Sequence, residues 1–184
     1  MFTRNTPRLI AICSLIAVAC AAWYFNAQKT AGVVNNARGL RPAPHLELKD
    51  DSGKIVKLGD FAGNAVIVHF WASWCWPCVT EMPELVEFVQ SYQGKPLRMI
   101  AVSVDDGWDN AHKLLPKGTL PSNLISLLDP TGKMPEAWGT FQLPESYLLD
   151  SNLQIVTKLV GGQEWNKEAM RKLMDAMIAK VPHR

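Results

Sequence analysis

Metal-binding side chains are scarce in this sequence. Of 184 residues, four are cysteine and four are histidine. A closed zinc site takes four ligands, commonly from two close pairs. Only one Cys-x-x-Cys pair is present, Cys75 and Cys78; Cys13 and Cys20 lie apart in an apolar segment, and the histidines are scattered. No metal site is expected. Charge of one sign is equally scarce. The formal net charge is +2, and Arg4 and Arg8 account for it, because beyond the first 26 residues lysine plus arginine equal aspartate plus glutamate. A chain without a basic excess does not suit a polyanion, so nucleic acid is not an expected partner. There is no internal repeat and no low-complexity block, so a repeat array is excluded.

The length allows one domain plus an appendage, and a hydrophobic content of 48% suits a packed core. The appendage is residues 1–26. Arg4 and Arg8 precede an uncharged run, Leu9 to Phe25, with Trp23 and Tyr24 at its far end. As a helix rising about 1.5 Å per residue, that run nearly matches the bilayer core. Basic residues ahead of it put the N-terminus in the cytoplasm and the remainder outside, and the aromatic pair suits the interface. A cleaved signal peptide competes, since Ala19, Ala21 and Ala22 offer small residues for cleavage and would leave a secreted soluble protein. Ala17-Val18-Ala19-Cys20 also loosely resembles a lipoprotein box; Cys13 and Cys20 equally suit one face of a membrane helix. All three readings deliver the remainder to a disulfide-permissive space such as the bacterial periplasm. The apolar character continues through Phe25, so the expectation is a retained single-pass anchor in the bacterial inner membrane through residues 9–25.

Residues 27–42 are rich in Ala, Asn and Gly and read as a linker. A domain follows over 43–184. His45 to Leu48 and Ile55 to Leu58 alternate around the turn Asp50-Asp51-Ser52-Gly53, which predicts a β-hairpin. Ala65 to Phe70 reads as a buried strand. Val79, Met82, Val86 and Val89 share a helical face after the cysteines, with a kink expected at Pro83. Met99 to Val104 is a second buried strand, Asp109 to Leu115 a helix, and Leu124 to Leu128 a short apolar segment. Ser146 to Leu149 and Gln154 to Val160 form a hairpin, and Met170, Leu173, Met174, Met177 and Ile178 line a final amphipathic helix. This order predicts an α/β fold with one central mixed β-sheet flanked by helices, an extra N-terminal β-hairpin and an N-terminal transmembrane helix.

The chemistry sits at Trp74-Cys75-Trp76-Pro77-Cys78, between a strand and a helix. A Cys-x-x-Cys pair there reads as a thiol–disulfide redox centre. Two intervening residues let both sulfurs occupy the first helical turn. Cys75 then meets free backbone N–H groups and the positive end of the helix dipole, which favour its thiolate. The thiolate is the nucleophile, and Cys78 resolves the mixed disulfide. Half of a zinc site and a purely structural disulfide are the alternatives.

The sequence resembles the TlpA/ResA/DsbE branch of membrane-tethered thioredoxin-like proteins. The resemblance is carried by Ala43-Pro44, by Val68-His69-Phe70-Trp71-Ala72-Ser73-Trp74-Cys75-Trp76-Pro77-Cys78, by Glu81-Met82-Pro83-Glu84-Leu85, by Leu143-Pro144-Glu145-Ser146-Tyr147-Leu148-Leu149-Asp150 and by Val160-Gly161. It implies that Pro144 is cis and lies beside the sulfurs, presenting the backbone of Leu143 to an incoming peptide; a strand-start proline is the plainer reading. It implies that Glu81 stands near the pair, raises thiol pKa and relays a proton, where an exposed helix glutamate is the alternative. Glu145 resembles a residue of the cytochrome c maturation subgroup and joins the expected substrate contacts, unless it is a solvated turn residue. Trp76 and Pro77 flank the exposed sulfur, with Trp76 contacting substrate; Trp74 lines the same surface and Trp71 is scaffold. His69 departs from the pattern, because thioredoxin has a buried Asp there and tethered relatives often have Asn. It reads as a base near Cys78 or as a satisfied polar group.

The resemblance implies a protein-disulfide reductase without cofactor. Its clients would be exported thiol or disulfide proteins, such as apocytochrome c, and its electron donor an integral membrane thiol reductase. A protein-disulfide oxidant uses the same cysteine chemistry in reverse. Copper delivery is the non-enzymatic alternative; thiolates suit Cu(I), but His112 and His183 are poorly placed as a further ligand. A peroxiredoxin would need a peroxidatic cysteine in its own loop.

Overall fold

The computed structural model describes residues 40–182. The expected anchor over 9–25, most of the 27–42 linker, Cys13, Cys20 and His183 lie outside the described residues. Among the described residues no helix is long and apolar enough to cross a membrane.

The elements in chain order are β1 (Arg41–Pro42), β2 (Glu47–Lys49), β3 (Ile55–Lys57), a 3₁₀ turn (Leu58–Phe61), β4 (Ala65–Trp71), α1 (Trp76–Gln90), β5 (Leu97–Ser103), α2 (Trp108–Ala111), β6 (Leu124–Leu128), α3 (Lys133–Ala137), β7 (Glu145–Leu149), β8 (Gln154–Val160) and α4 (Glu168–Ile178). Among the described residues six strands form one sheet in the order β1-β8-β7-β4-β5-β6. β4, β5 and β6 are parallel; β7 runs antiparallel to β4, and β8 to β7. The mixed sheet flanked by helices is therefore present, and β2 and β3 form the expected separate hairpin. Its turn is built by Asp50, whose Oδ1 accepts from the Ser52 and Lys54 amides at 2.9 Å each, and by Gly53, whose φ of 84° suits glycine.

Alternation along β4 divides the core. Ala65, Ile67 and Trp71 join one cluster with Met82, Leu85, Phe88 and Val89 of α1 and Met174 and Met177 of α4. Val66, Val68 and Phe70 join the other with Leu46, Val56, Phe61, Trp138 and Tyr147. Every residue of β4 is buried, as expected of a central strand covered on both faces. The cysteine helix therefore lies on the first face, opposite the hairpin.

Several expectations needed correction. Leu124–Leu128 is a true strand, paired in parallel with β5; its central serine hid the β pattern. Arg41 and Pro42, in the span read as linker, pair with Ile155 and Gln154 at the sheet edge. The buried face of α1 is Cys78, Glu81, Met82, Leu85, Phe88 and Val89, while Val79 and Val86 are half-buried. The face is thus rotated from the valine stripe toward the larger side chains, and it takes Glu81 inside. Pro83 lies inside α1 as expected, exposed, and the helix runs on to Gln90.

Candidate active site

β4 delivers the chain to the site, and a clamp holds the loop that follows. Asp105, buried just beyond β5, accepts from the Ser73 amide at 3.1 Å to each oxygen and from the Ser73 hydroxyl at 2.7 Å. Ser103 Oγ donates to Asp105 Oδ2 at 2.7 Å. Because β4 and β5 are parallel neighbours, with Trp71 opposite Ser103, the crossover brings both loops to one end of the sheet. Sites collect there in open α/β sheets.

Cys75 is the N-cap of α1, and its Sγ accepts from the Cys78 amide at 3.3 Å. Cys75 and Cys78 are joined as a disulfide, their Cα atoms 5.3 Å apart. Cys75 retains 7% of its surface and Cys78 none, so of the two sulfurs only that of Cys75 can be reached from outside. Trp74 and Trp76 are exposed on either side of it, and Pro77, also exposed, sits in the first turn of the helix. The arrangement stabilises a Cys75 thiolate through the unpaired N–H groups of the helix start.

The Leu143–Pro144 peptide is cis. Phe70 pairs with Glu145 across β4 and β7, so Pro144 falls opposite Trp71, at the end of the strand that leads to the cysteines. Gly161 N–H donates to Pro144 O at 2.9 Å, tying down the far side of that peptide, and Leu143 is half-buried. Glu145 is a correction. It was expected at the substrate surface or in a solvated turn, but its side chain is 2% exposed and pairs with Lys158 Nζ at 2.8 Å. Alternation along β7 sends it with Tyr147 to the sheet face opposite the cysteine helix.

Glu81 is 5% exposed, not an exposed helix glutamate. Three residues after Cys78, it shares the buried face of α1 with that cysteine. Its Oε2 accepts from the Gln163 amide at 2.8 Å and from Trp165 Nε1 at 3.2 Å. Burial pushes its pKa up to about 7, against those two hydrogen bonds, with the Glu84 charge adding to the rise. His69, fully buried on β4, has Nδ1 2.8 Å from Ser146 Oγ and Nε2 3.5 Å from Glu81 Oε1. Burial holds its pKa down to about 3, so the ring is neutral. The imidazole expected as a base near Cys78 is therefore neutral and hydrogen-bonded to Ser146, and the group on this buried face that titrates near neutrality is the Glu81 carboxyl.

Comparison with known proteins agrees with this geometry. Residues 40–158 match the AhpC/TSA family model. The thiol–disulfide oxidoreductase ResA of Bacillus thuringiensis subsp. konkukian is 31% identical over 135 residues, 72% of this chain and 77% of its own. The chain belongs to the AhpC/TSA family. Within it, this protein is a thiol–disulfide oxidoreductase of ResA/DsbE type with the thioredoxin-like fold. ResA of Geobacillus thermodenitrificans is 29% identical over 83% of both chains. A crystal structure assigned to a thiol:disulfide interchange protein DsbE from Chlorobium tepidum superposes with a TM-score of 0.67, at 32% identity, over 76% of this chain and 96% of that one.

Among the described residues no group of three or more His, Cys, Asp and Glu could hold a metal ion, and His112 stacks on Trp108 instead. The sequence reading missed the clamp through Asp105 and the partners of Glu81. Ser73 and Asp105 are 32 residues apart, and Glu81 and Trp165 are 84 apart. A polar residue just past the end of the neighbouring parallel strand was the available signal for the first; nothing local marks the second.

The two shifted groups pull stability in opposite directions. A carboxyl raised from 4.5 to about 7 contributes fully below pH 4.5, and its contribution is lost as pH rises toward 7. An imidazole lowered from 6.5 to about 3 contributes fully above pH 6.5, and its contribution is lost as pH falls toward 3. Between pH 4.5 and 6.5 the two cancel. Glu81→Gln removes the first effect. Over that window its unfolding free energy, measured by urea denaturation of the full-length chain, should rise relative to wild type by about 1.4 kcal/mol per pH unit. Parallel curves for the two proteins would show that Glu81 ionises normally.

Proposed function

We propose that this oxidoreductase works as a reductant of disulfides in exported proteins, with apocytochrome c as the client class, tethered to the bacterial inner membrane with its catalytic domain in the periplasm. The observation that carries the reading is the environment of the pair: Cys75 at the helix start, Cys78 sealed beneath it, and a buried carboxyl on the same helix face.

In the forward reaction the Cys75 thiolate attacks one sulfur of a client disulfide. The client S–S bond breaks, a mixed disulfide forms, and the first client sulfur leaves as thiolate. Cys78 then loses its proton to the Glu81 carboxylate and attacks Cys75 Sγ. The mixed disulfide breaks, the second client sulfur leaves, and the Cys75–Cys78 disulfide remains. Two electrons pass to the client. An integral membrane thiol reductase would return them by the same exchange. The client backbone would lie along Leu143, ahead of the cis Pro144, in the manner of an added strand, with Trp74 and Trp76 covering the sulfurs.

Electrostatics supports the reducing direction. No lysine, arginine or histidine stands between the cysteines to hold a thiolate; the intervening residues are Trp76 and Pro77. Glu81, once ionised, opposes a thiolate nearby. Weak stabilisation of the reduced form favours the disulfide, so the dithiol is reducing. The potential should lie nearer thioredoxin's, about −270 mV, than DsbA's, about −120 mV. Equilibration with glutathione buffers at pH 7 measures it. A pair that stays mostly reduced in a buffer near −180 mV would make the protein an oxidant.

The tether rests on Arg4 and Arg8 ahead of the run from Leu9 to Phe25. Full-length protein should stay with the membrane fraction after alkaline washing, with its cysteine domain open to protease from the periplasmic side. Recovery of a soluble chain beginning near Ala22 would replace the anchor with a cleaved signal.

A further inference from the structure

One polar contact inside the core joins the cysteine helix to the sheet. His69 points from β4 to the α1 face of the sheet. Its ring has two edges to satisfy: Nδ1 meets Ser146 Oγ at 2.8 Å, on the residue directly opposite it in β7, and Nε2 faces Glu81 Oε1 at 3.5 Å. Among the described residues neither Nε2 nor Oε1 has any other hydrogen-bond partner. Glu81 Oε2, by contrast, is fully engaged by Gln163 and Trp165. Buried polar atoms are almost always paired. Two unpaired atoms that face each other, both out of water, are satisfied together by one proton placed between them.

We infer that His69 is a positioning residue for the proton that Glu81 exchanges with Cys78, with Ser146 supporting the imidazole tautomer that each state requires. The inference rests on the reading of Glu81 as the proton partner of Cys78.

The proton count defines two states. With Glu81 protonated, its O–H donates to Nε2; the ring then carries its proton on Nδ1 and donates to Ser146 Oγ. With Glu81 ionised, the ring carries its proton on Nε2 and donates to Oε1, and the Ser146 hydroxyl donates to Nδ1. The states differ by one proton, and the ring is neutral in both. A hydroxyl is suited to the second position because it both donates and accepts. Without an N–H at Nε2, the buried carboxylate would lose a donor and hold its proton more tightly. His69 therefore keeps Glu81 able to give and take a proton near neutral pH. The charged group acting on the pair is Glu84 of α1; Cys78, fully buried on the same helix, is held in the disulfide, β7 supplies Ser146, and the segment after β8 supplies the uncharged Gln163 and Trp165. Burial shifts both members in the direction this scheme needs, the ring down and the carboxyl up.

The test has two arms on the full-length chain. In the first, ¹⁵N-histidine-labelled wild type in the disulfide form is titrated from pH 5 to 9. The His69 ring should remain neutral while its proton moves from Nδ1 to Nε2 across the range in which Glu81 ionises. A ring held in one tautomer throughout, or one that becomes imidazolium above pH 6, overturns the inference. In the second, mixed-disulfide resolution is timed against pH. His69→Phe should move the midpoint of the profile upward by about one unit or more, and His69→Gln, which restores an N–H near the Nε2 position, should return it toward wild type. An unmoved midpoint in His69→Phe overturns the inference while leaving Glu81 in place. An unmoved midpoint in Glu81→Gln removes the reading beneath it. Should His69→Phe fail to fold, the wild-type tautomer titration decides alone.

Discussion

The amide of Cys78 donates to the sulfur of Cys75, and through that bond the chemistry is attached to the fold. It makes Cys75 the cap of α1. A cap sulfur sits where the helix leaves N–H groups unpaired and where the macrodipole favours negative charge. The same turn of helix carries Cys78 inward until no surface remains. One sulfur is therefore reactive and accessible, and the other is available only to it. This division of accessibility follows from a single helix start.

That helix start has to be held, and it is held from three sides. Asp105 fixes the loop ahead of it through Ser73. The apolar face of α1 packs Met82, Leu85 and Phe88 against β4 and β5. Glu81 reaches past that face to the segment after β8, where Gln163 and Trp165 receive it. A carboxyl in such a place costs stability when ionised, and the protein offsets part of that cost with two donors on one oxygen. The other oxygen is left for His69. What the fold gains is a buried carboxyl that titrates close to pH 7 on the same helix face as Cys78.

Much of this was legible in the sequence because it is local. The cysteine spacing, the strand before it and the helix after it lie within one short stretch. The hairpin around Asp50 to Gly53 announces itself by alternation and turn chemistry, and the family resemblance carried by the cysteine motif and by Leu143-Pro144-Glu145 implied the cis proline. What escaped was set by long-range packing. Leu124–Leu128 becomes a strand because β5 offers it a parallel edge. Arg41 and Pro42 become one because β8 has a free edge. The valines of α1 suggested a face, but the larger Leu85 and Phe88 decide which way the helix rolls, and that roll is what buries Glu81. Glu145 looked like a surface residue until alternation along β7 set it beside Lys158 on the other side of the sheet. His69 was ambiguous for a similar reason: its partners are on β7 and α1, and only the assembled sheet shows them.

The central claim is that the helix start makes Cys75 the nucleophile and keeps Cys78 in reserve. Its most direct test is the rate at which each thiol of the fully reduced, full-length chain reacts with a small alkylating agent at pH 7, read by peptide mass spectrometry at short times. Cys75 should be modified first, at least about tenfold faster than Cys78, as an accessible thiol at a helix start should beat a buried one. Equal rates, or faster modification of Cys78, would contradict the assignment of roles on which the account is built.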